Sequence, residues 1–165
     1  MTYVALSLGS NLGDRAQNIS KMECLLKKII REPVKRSSLM ETEPLGVAEK
    51  QPWYYNRIIT GNYEGSALAL LDNLESLERE LGRKHKGLLK SRTADLDLLL
   101  FGDAQIKTER LTIPHRGILQ RRFVLEGLNQ IDPDRKLPLK GKTVKWFFEH
   151  MDEEVKSQRI NFIQN

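Results

Sequence analysis

Apolar runs of strand length alternate along the chain with stretches of helical spacing. Tyr3 to Leu8 is a short β-rich run, stopped by Gly9-Ser-Asn-Leu-Gly13. Asp14 offers an N-cap, and Ile19, Met22, Leu25, Leu26, Ile29 and Ile30 recur at helical spacing until Glu32-Pro33, which is expected to close the helix. Val34 to Glu41 reads as a second strand, leading into the loop Thr42-Glu-Pro-Leu-Gly46 and a polar surface connection, Val47 to Pro52. Trp53 to Tyr63 has the aromatic and β-branched content of a long strand. Gly65-Ser66 opens a second helix with Leu70, Leu71, Leu74, Leu77 and Leu81 on one face, stopped at Gly82. Arg83 to Ser91 is basic and aperiodic, and a mobile cationic loop is expected there. A buried strand over Leu96 to Phe101 follows, with a hairpin through Gly102-Asp103 into Gln105 to Thr108. Beyond it come an extended segment over Leu111 to His115, helices over Gln120 to Gln130 and Val144 to Met151, and a strand over Arg159 to Ile163.

Several of these connections are short, which argues for an α+β fold with a mixed, mainly antiparallel sheet flanked by helices. Its 165 residues suit one domain with a sizeable core. No run of 18 apolar residues occurs, and the chain starts directly as a strand instead of a charged-then-apolar leader, so a soluble cytoplasmic protein is expected. The single cysteine, Cys24, rules out an internal disulfide and reads as a packing residue. Lys and Arg outnumber Asp and Glu by 27 to 22, and the net charge of +5 fits an anionic partner.

The chemistry concentrates in Arg92-Thr-Ala-Asp-Leu-Asp97. Alternation on a strand points Asp95 and Asp97 to one face, with Leu99 and Phe101 following them. Two neighbouring carboxylates beside an apolar run are costly unless a cation offsets them, and hard oxygen ligands favour Mg²⁺ or Mn²⁺ over zinc. An acid pair at a solvated strand end is the plainer alternative. Arg92, three residues upstream, shifts the balance toward a metal-bound polyphosphate. A phosphate loop of the G-x-x-x-x-G-K-[ST] kind is absent.

Taken in order, Leu8 to Gly13, Thr42 to Gly46, Tyr54-Tyr-Asn56, Arg92 to Asp97, Arg110-Leu-Thr-Ile-Pro-His115, Arg121 and Phe123 resemble the 6-hydroxymethyl-7,8-dihydropterin pyrophosphokinases of the folate pathway. The resemblance runs from the first strand to about Ile131. It implies a ferredoxin-like α/β sandwich and transfer of the β,γ-diphosphate of ATP to the hydroxymethyl oxygen of a reduced pterin, leaving AMP. It also implies that Asp95 and Asp97 hold two Mg²⁺ ions, with Arg83 and Arg92 joining them in catalysis. Arg83, Arg92, His115 and Arg121 correspond to positions that grip phosphates, Arg110 and Thr112 line the nucleotide side, Glu78 contacts the nucleotide, and Leu98 offers its backbone to adenine. Tyr54 and Phe123 would take the two faces of the pterin, Asn56 its edge, and Thr42 and Leu45 mainly backbone contacts. Read alone, Tyr54 and Phe123 could equally be core aromatics, and Glu78 an exposed helical carboxylate.

The basic loop departs from the family pattern. Where the family has Arg-Trp-Gly-Pro before the motif's arginine, this chain reads Gly87-Leu-Leu-Lys-Ser91 and is about one residue shorter. His85 stands in place of a second arginine, and Arg116 follows His115 where an aromatic is common. Slower turnover or weaker ATP affinity is therefore expected, with a nucleotide-binding paralogue of lost or altered transfer as the alternative. A single-phosphoryl kinase and a basic RNA-binding module are the rivals. The acids of the central strand, standing where an RNA-binding module would present aromatics, argue against the last. A monomer with no nucleic-acid or membrane partner is expected.

Overall fold

The computed structural model describes residues 1–47, 50–82 and 92–164. Strand β1 (Thr2–Ser10) lies inside the sheet and pairs with β4 (Tyr54–Tyr63) on one side and β5 (Asp95–Phe101) on the other. With β3 (Leu39–Thr42) and β8 (Ile160–Ile163) they form one sheet in the order β5-β1-β4-β3-β8, and β2 (Arg31–Arg36) also pairs with β4. Every pairing among the described strands is antiparallel.

One sheet face is covered by α1 (Arg15–Leu26) and α2 (Ala67–Glu80), where Leu6, Leu8, Ile19, Met22, Leu70, Leu74, Leu96 and Leu98 form a buried cluster. The other face carries α3 (Arg122–Ile131) and α4 (Val144–Glu149), closing over Ala5, Met40, Ile58, Leu99 and Leu100 with Phe123, Val124, Leu128 and Phe147. Caps appear where the residue types predict them: Asp14 accepts from Gln17 N, Ser66 from Ala69 N and Thr143 from Trp146 N.

Three expectations about elements change. Glu32-Pro33 does not close α1. The helix ends at Leu26, a turn buries Ile30, and Pro33 lies inside β2 where the register to β4 shifts, so its missing N–H breaks no ladder bond. The predicted strand over Val34 to Glu41 is two strands. Between them the Ser37 hydroxyl accepts from Ile58 N at 2.9 Å and Ser37 N donates to Ile58 O at 2.9 Å, so the gap stays bonded. The turn at Gly102 does not lead into pairing with β5. Instead β6 (Ile106–Lys107) pairs with β7 (Thr112–Ile113) as a separate ribbon. A short helix, α5 (Glu153–Lys156), precedes β8 and had no periodic signal in four residues.

Tyr3, on β1, lies under the Arg135 guanidinium at 3.5 Å from its ring. Its hydroxyl is pushed up to about 12, mainly by burial and partly by Asp132, against the opposing pull of Arg135. The folded protein therefore keeps a proton that the unfolded chain gives up near pH 10. This contribution, on the order of 2–3 kcal/mol, is present below pH 10 and disappears as pH rises toward 12. Absorbance titration is expected to show one tyrosine ionising about two pH units late, and the delay should vanish in Tyr3→Phe.

Candidate active site

Two residues on β5 anchor the site. Asp97 lies opposite Ser7 of β1 and Asp95 opposite Gly9, so both carboxylates share the face that α3 covers farther along the sheet. The alternation does not run the whole strand. Ala5 pairs with Leu100 and Leu6 with Leu98, which leaves Leu99 as an extra residue. Leu99 and Leu100 both join the α3 cluster, while Phe101 turns to the α1–α2 side. Phe101 thus does not follow the aspartates as strict alternation predicts; the bulge reverses its face.

Each acid has a cation beside it. Arg92 NH1 stands 3.4 Å from Asp95 Oδ1, and Arg121 NH1 stands 3.3 Å from Asp97 Oδ2. His115 Nε2 is 3.9 Å from Asp97 Oδ1. The His115 ring is fixed from behind, its Nδ1 accepting from Gly117 N at 3.0 Å, and its own backbone N–H donates to Leu99 O at 2.9 Å. The bulge residue therefore anchors the histidine. Burial pushes the His115 pKa down, and Arg121 adds to that, against opposite pulls from Asp97 and Asp95. With Nδ1 accepting, the neutral ring carries its proton on Nε2, aimed toward the acid pair.

The first cleft, about 590 Å³, opens on the Asp95 side. All five residues expected to meet the pterin, Thr42, Leu45, Tyr54, Asn56 and Phe123, line it, together with Arg92 and Arg121. Asn56 and Tyr54 project from the same face of β4, and Asn56 Nδ2 donates to Thr42 Oγ1 at 2.6 Å, which leaves the amide oxygen directed toward Gly9. A Cβ on Gly9 would come within 2.7 Å of that oxygen, so glycine here makes room for the amide between β1 and β4. Phe123 belongs to the buried cluster under α3 and also lines the cleft, so core packing and ring contact are not alternatives at this position.

A second cleft of about 570 Å³ opens on the Asp97 side, lined by Leu98, Arg110, Thr112, His115 and Arg116 among others. Arg110 reaches α2, where it pairs with Asp72 and, at 3.2 Å, with Glu75. Glu78 does not line this cleft and is not the exposed helical carboxylate of the plainer reading. It is 2% exposed, and its Oε2 accepts from Leu96 N at 3.0 Å, bonding the edge of β5 that β1 does not reach. Leu98, two residues on, occupies the same backbone phase and faces that edge. Arg83 lies outside the described residues, as does the rest of the basic loop over 83–91.

Asn11 had no assigned role, although it falls in the quoted Leu8 to Gly13 motif. It is 1% exposed and ties three segments together. Its Oδ1 accepts from Arg92 N at 2.8 Å, its N–H donates to Arg92 O at 3.0 Å, and its Nδ2 donates to Pro52 O and Gln51 Oε1 at 3.1 and 3.3 Å. Glu43, Pro44, Val47 and Gln51 of the first cleft were also unassigned. Glu43 and Pro44 sat in a quoted motif whose loop character hid which side chains face inward.

Among the described residues no group of three or more His, Cys, Asp or Glu side chains is placed to hold a metal ion. Two partly exposed carboxylates still suit Mg²⁺, which typically takes one or two protein carboxylates and completes its shell with phosphate and water. A zinc-type closed site does not fit this donor set. No helix among the described residues is long and apolar enough to cross a membrane.

Residues 5–133 match the family described as 7,8-dihydro-6-hydroxymethylpterin-pyrophosphokinase. The chain is 36% identical over 154 residues to the 2-amino-4-hydroxy-6-hydroxymethyldihydropteridine pyrophosphokinase of Haemophilus influenzae, covering 91% of this chain and 96% of that one. To the enzyme of the same name from Bacillus subtilis it is 38% identical over 132 residues, covering 79% and 77%. In fold it resembles a Plasmodium falciparum HPPK-DHPS chain solved with pteroate, at a TM-score of 0.74 and 14% identity, covering 94% of this chain and 42% of that longer one. Sheet order, acid pair and these likenesses agree: the chain belongs to the 7,8-dihydro-6-hydroxymethylpterin-pyrophosphokinase family and is a diphosphotransferase of folate synthesis.

Proposed function

We propose that the chain binds ATP with Mg²⁺ in the second cleft and a reduced hydroxymethylpterin in the first, and joins them across the β5 acids. The observation that carries this reading is that Asp95 lines one cleft and Asp97 the other. A phosphate chain entering from the Asp97 side and an alcohol entering from the Asp95 side would meet at the strand.

In the reaction the pterin hydroxymethyl oxygen attacks the β-phosphorus of ATP. A new P–O bond forms, the bond from the β-phosphorus to the α,β-bridging oxygen breaks, AMP leaves with that oxygen, and the hydroxyl proton passes to solvent. Two Mg²⁺ ions held by Asp95 and Asp97 would offset triphosphate charge and align the β-phosphorus. Arg92, Arg121 and the His115 Nε2–H grip phosphate oxygens from the protein side, the arginines through their planar forks. Arg83 is assigned the same task from its sequence position. Arg110 and Thr112 bound the nucleotide, and the Leu98 backbone meets the base. Tyr54 and Phe123 sandwich the flat pterin while Asn56 reads its edge and Thr42 and Leu45 close the rim. Glu78 acts behind the site by holding β5. Positioning and charge, not a strong base, supply most of the rate.

The protein works as a single-domain cytoplasmic monomer with no nucleic-acid or membrane partner. His85 and the missing Trp-Gly-Pro lower its turnover or ATP affinity relative to typical members, and Arg116, beside His115 in the second cleft, returns part of the lost charge. The test is incubation with Mg·ATP and 6-hydroxymethyl-7,8-dihydropterin followed by nucleotide analysis. AMP supports the proposal; ADP means a single-phosphoryl kinase, and unchanged ATP means a binder only. Phe123→Ala is expected to weaken pterin binding by roughly 1–3 kcal/mol in calorimetry through lost area and stacking. Unchanged affinity with lowered stability would leave Phe123 a core residue alone.

A further inference from the structure

Two consecutive residues near the C-terminus each hold one wall of the first cleft. The α3 wall carries Arg121 and Phe123, and the helix has no side-chain cap from its own N-cap residue, Arg121. Gln158 supplies the missing partner: its Oε1 accepts from Arg122 N at 2.9 Å, and its Nε2 donates to Gln120 O at 2.8 Å. Arg122 returns the contact, donating from NH1 to the carbonyls of Lys156 and Gln158 at 3.1 and 3.0 Å. The opposite wall is Thr42 to Leu45. There Arg159 donates its backbone N–H to Glu43 Oε1 at 3.1 Å, and its Nε and NH2 to Glu43 Oε2 at 3.2 and 3.0 Å. The next residue, Ile160, pairs with Thr42 and starts β8.

An isolated exposed ion pair contributes little to stability, and the Arg159 side chain is 70% exposed. This pair differs in kind. Three donors of one residue hold both carboxylate oxygens, and the preceding residue is bonded to the facing wall. The Glu43 carboxyl is held below the usual carboxylate range, chiefly by the Arg159 backbone N–H. Gln158 and Arg159 lie beyond the 5–133 stretch that matches the family, whereas the residues they hold, Gln120, Arg122 and Glu43, lie within it.

We infer that Arg159 is a positioning residue for the pterin cleft, which with Gln158 fixes the separation between the loop wall at Glu43 and the helix wall at Phe123. The inference rests on the proposed assignment of that cleft to the pterin. The loop wall closes the rim of the ring and Phe123 takes one of its faces, so a change in that separation displaces the ring from its stacked position, and stacking falls off steeply with small displacements.

The test compares Arg159→Ala, Arg159→Lys and Glu43→Gln with the unsubstituted protein, measuring KM for each substrate, kcat, melting temperature and calorimetric pterin Kd. In Arg159→Ala the pterin KM and Kd are expected to rise by about five- to tenfold, more than either kcat or the ATP KM changes, because the loss is one of placement and not of charge at the phosphates. Glu43→Gln should reproduce the shift without altering side-chain size, and Arg159→Lys should restore part of it. A folded Arg159→Ala with pterin KM and Kd within about twofold of the unsubstituted protein overturns the inference, as do equal rises in both KM values. An unsubstituted protein that binds pterin but releases no AMP overturns the transfer reading alone, and the calorimetric comparison still decides the role of Arg159. One that binds no pterin overturns both.

Discussion

Asp97→Ala is expected to yield a folded protein whose turnover falls by at least about a thousandfold, and Asp95→Ala the same. In barrier terms this is about 4 kcal/mol. Both side chains are partly exposed at the site end of β5, and neither fills a core, so circular dichroism and melting should stay close to the parent. Asp97→Asn, which keeps the shape, separates charge from volume. The loss should fall on kcat more than on nucleotide affinity, since Arg92, Arg121 and His115 remain to hold phosphate. AMP release at saturating Mg·ATP and pterin is the measurement, and a near-normal rate in either cleanly folded alanine variant would remove that acid from the chemistry.

Gly127→Ala is expected to lose roughly 2–3 kcal/mol of stability, with a melting point lower by several degrees. On helix propensity alone the change would gain about 1 kcal/mol. Packing decides against it, because a Cβ at Gly127 would sit 2.2 Å from Ile58 Cγ1 and 2.8 Å from Ile58 Cβ. Both belong to regular elements, α3 and β4, so the helix must lift from the sheet. Phe123 lies one turn earlier on α3, and the lift should weaken pterin binding as well. Stability unchanged or raised would mean that Ile58 repacks freely and that α3 is not seated on this contact.

The core was legible because its residues recur at the right period. Ile19, Met22 and Leu26 of α1, and Leu70, Leu74 and Leu77 of α2, are buried as their spacing requires. The caps at Asp14 and Ser66 were legible for the same local reason. Pro33 misled because a proline that ends a helix and one that sits where a ladder slips look alike in sequence. The Leu99 bulge was invisible, since an unbroken apolar run gives no sign of which residue is unmatched. In the site, Asp95, Asp97, Tyr54, Asn56 and Phe123 were legible from motif order, and all border the two clefts. Glu78 was not, because its helix position fixes a direction but not the depth of the neighbouring strand edge. Asn11, Gln158 and Arg159 escaped notice because hydrogen bonds across 41, 36 and 116 residues leave no local trace.

The extra residue at Leu99 divides β5 into two independent phases. Upstream, the pairing with Ser7 and Gly9 alone decides where the acids point; downstream, Phe101 answers to Val4. Length changes at the Gly102 turn can thus be absorbed at the irregularity before they rotate a carboxylate out of place. Natural variation should accordingly accumulate on the turn side of Leu99, leaving the stretch before it invariant in length.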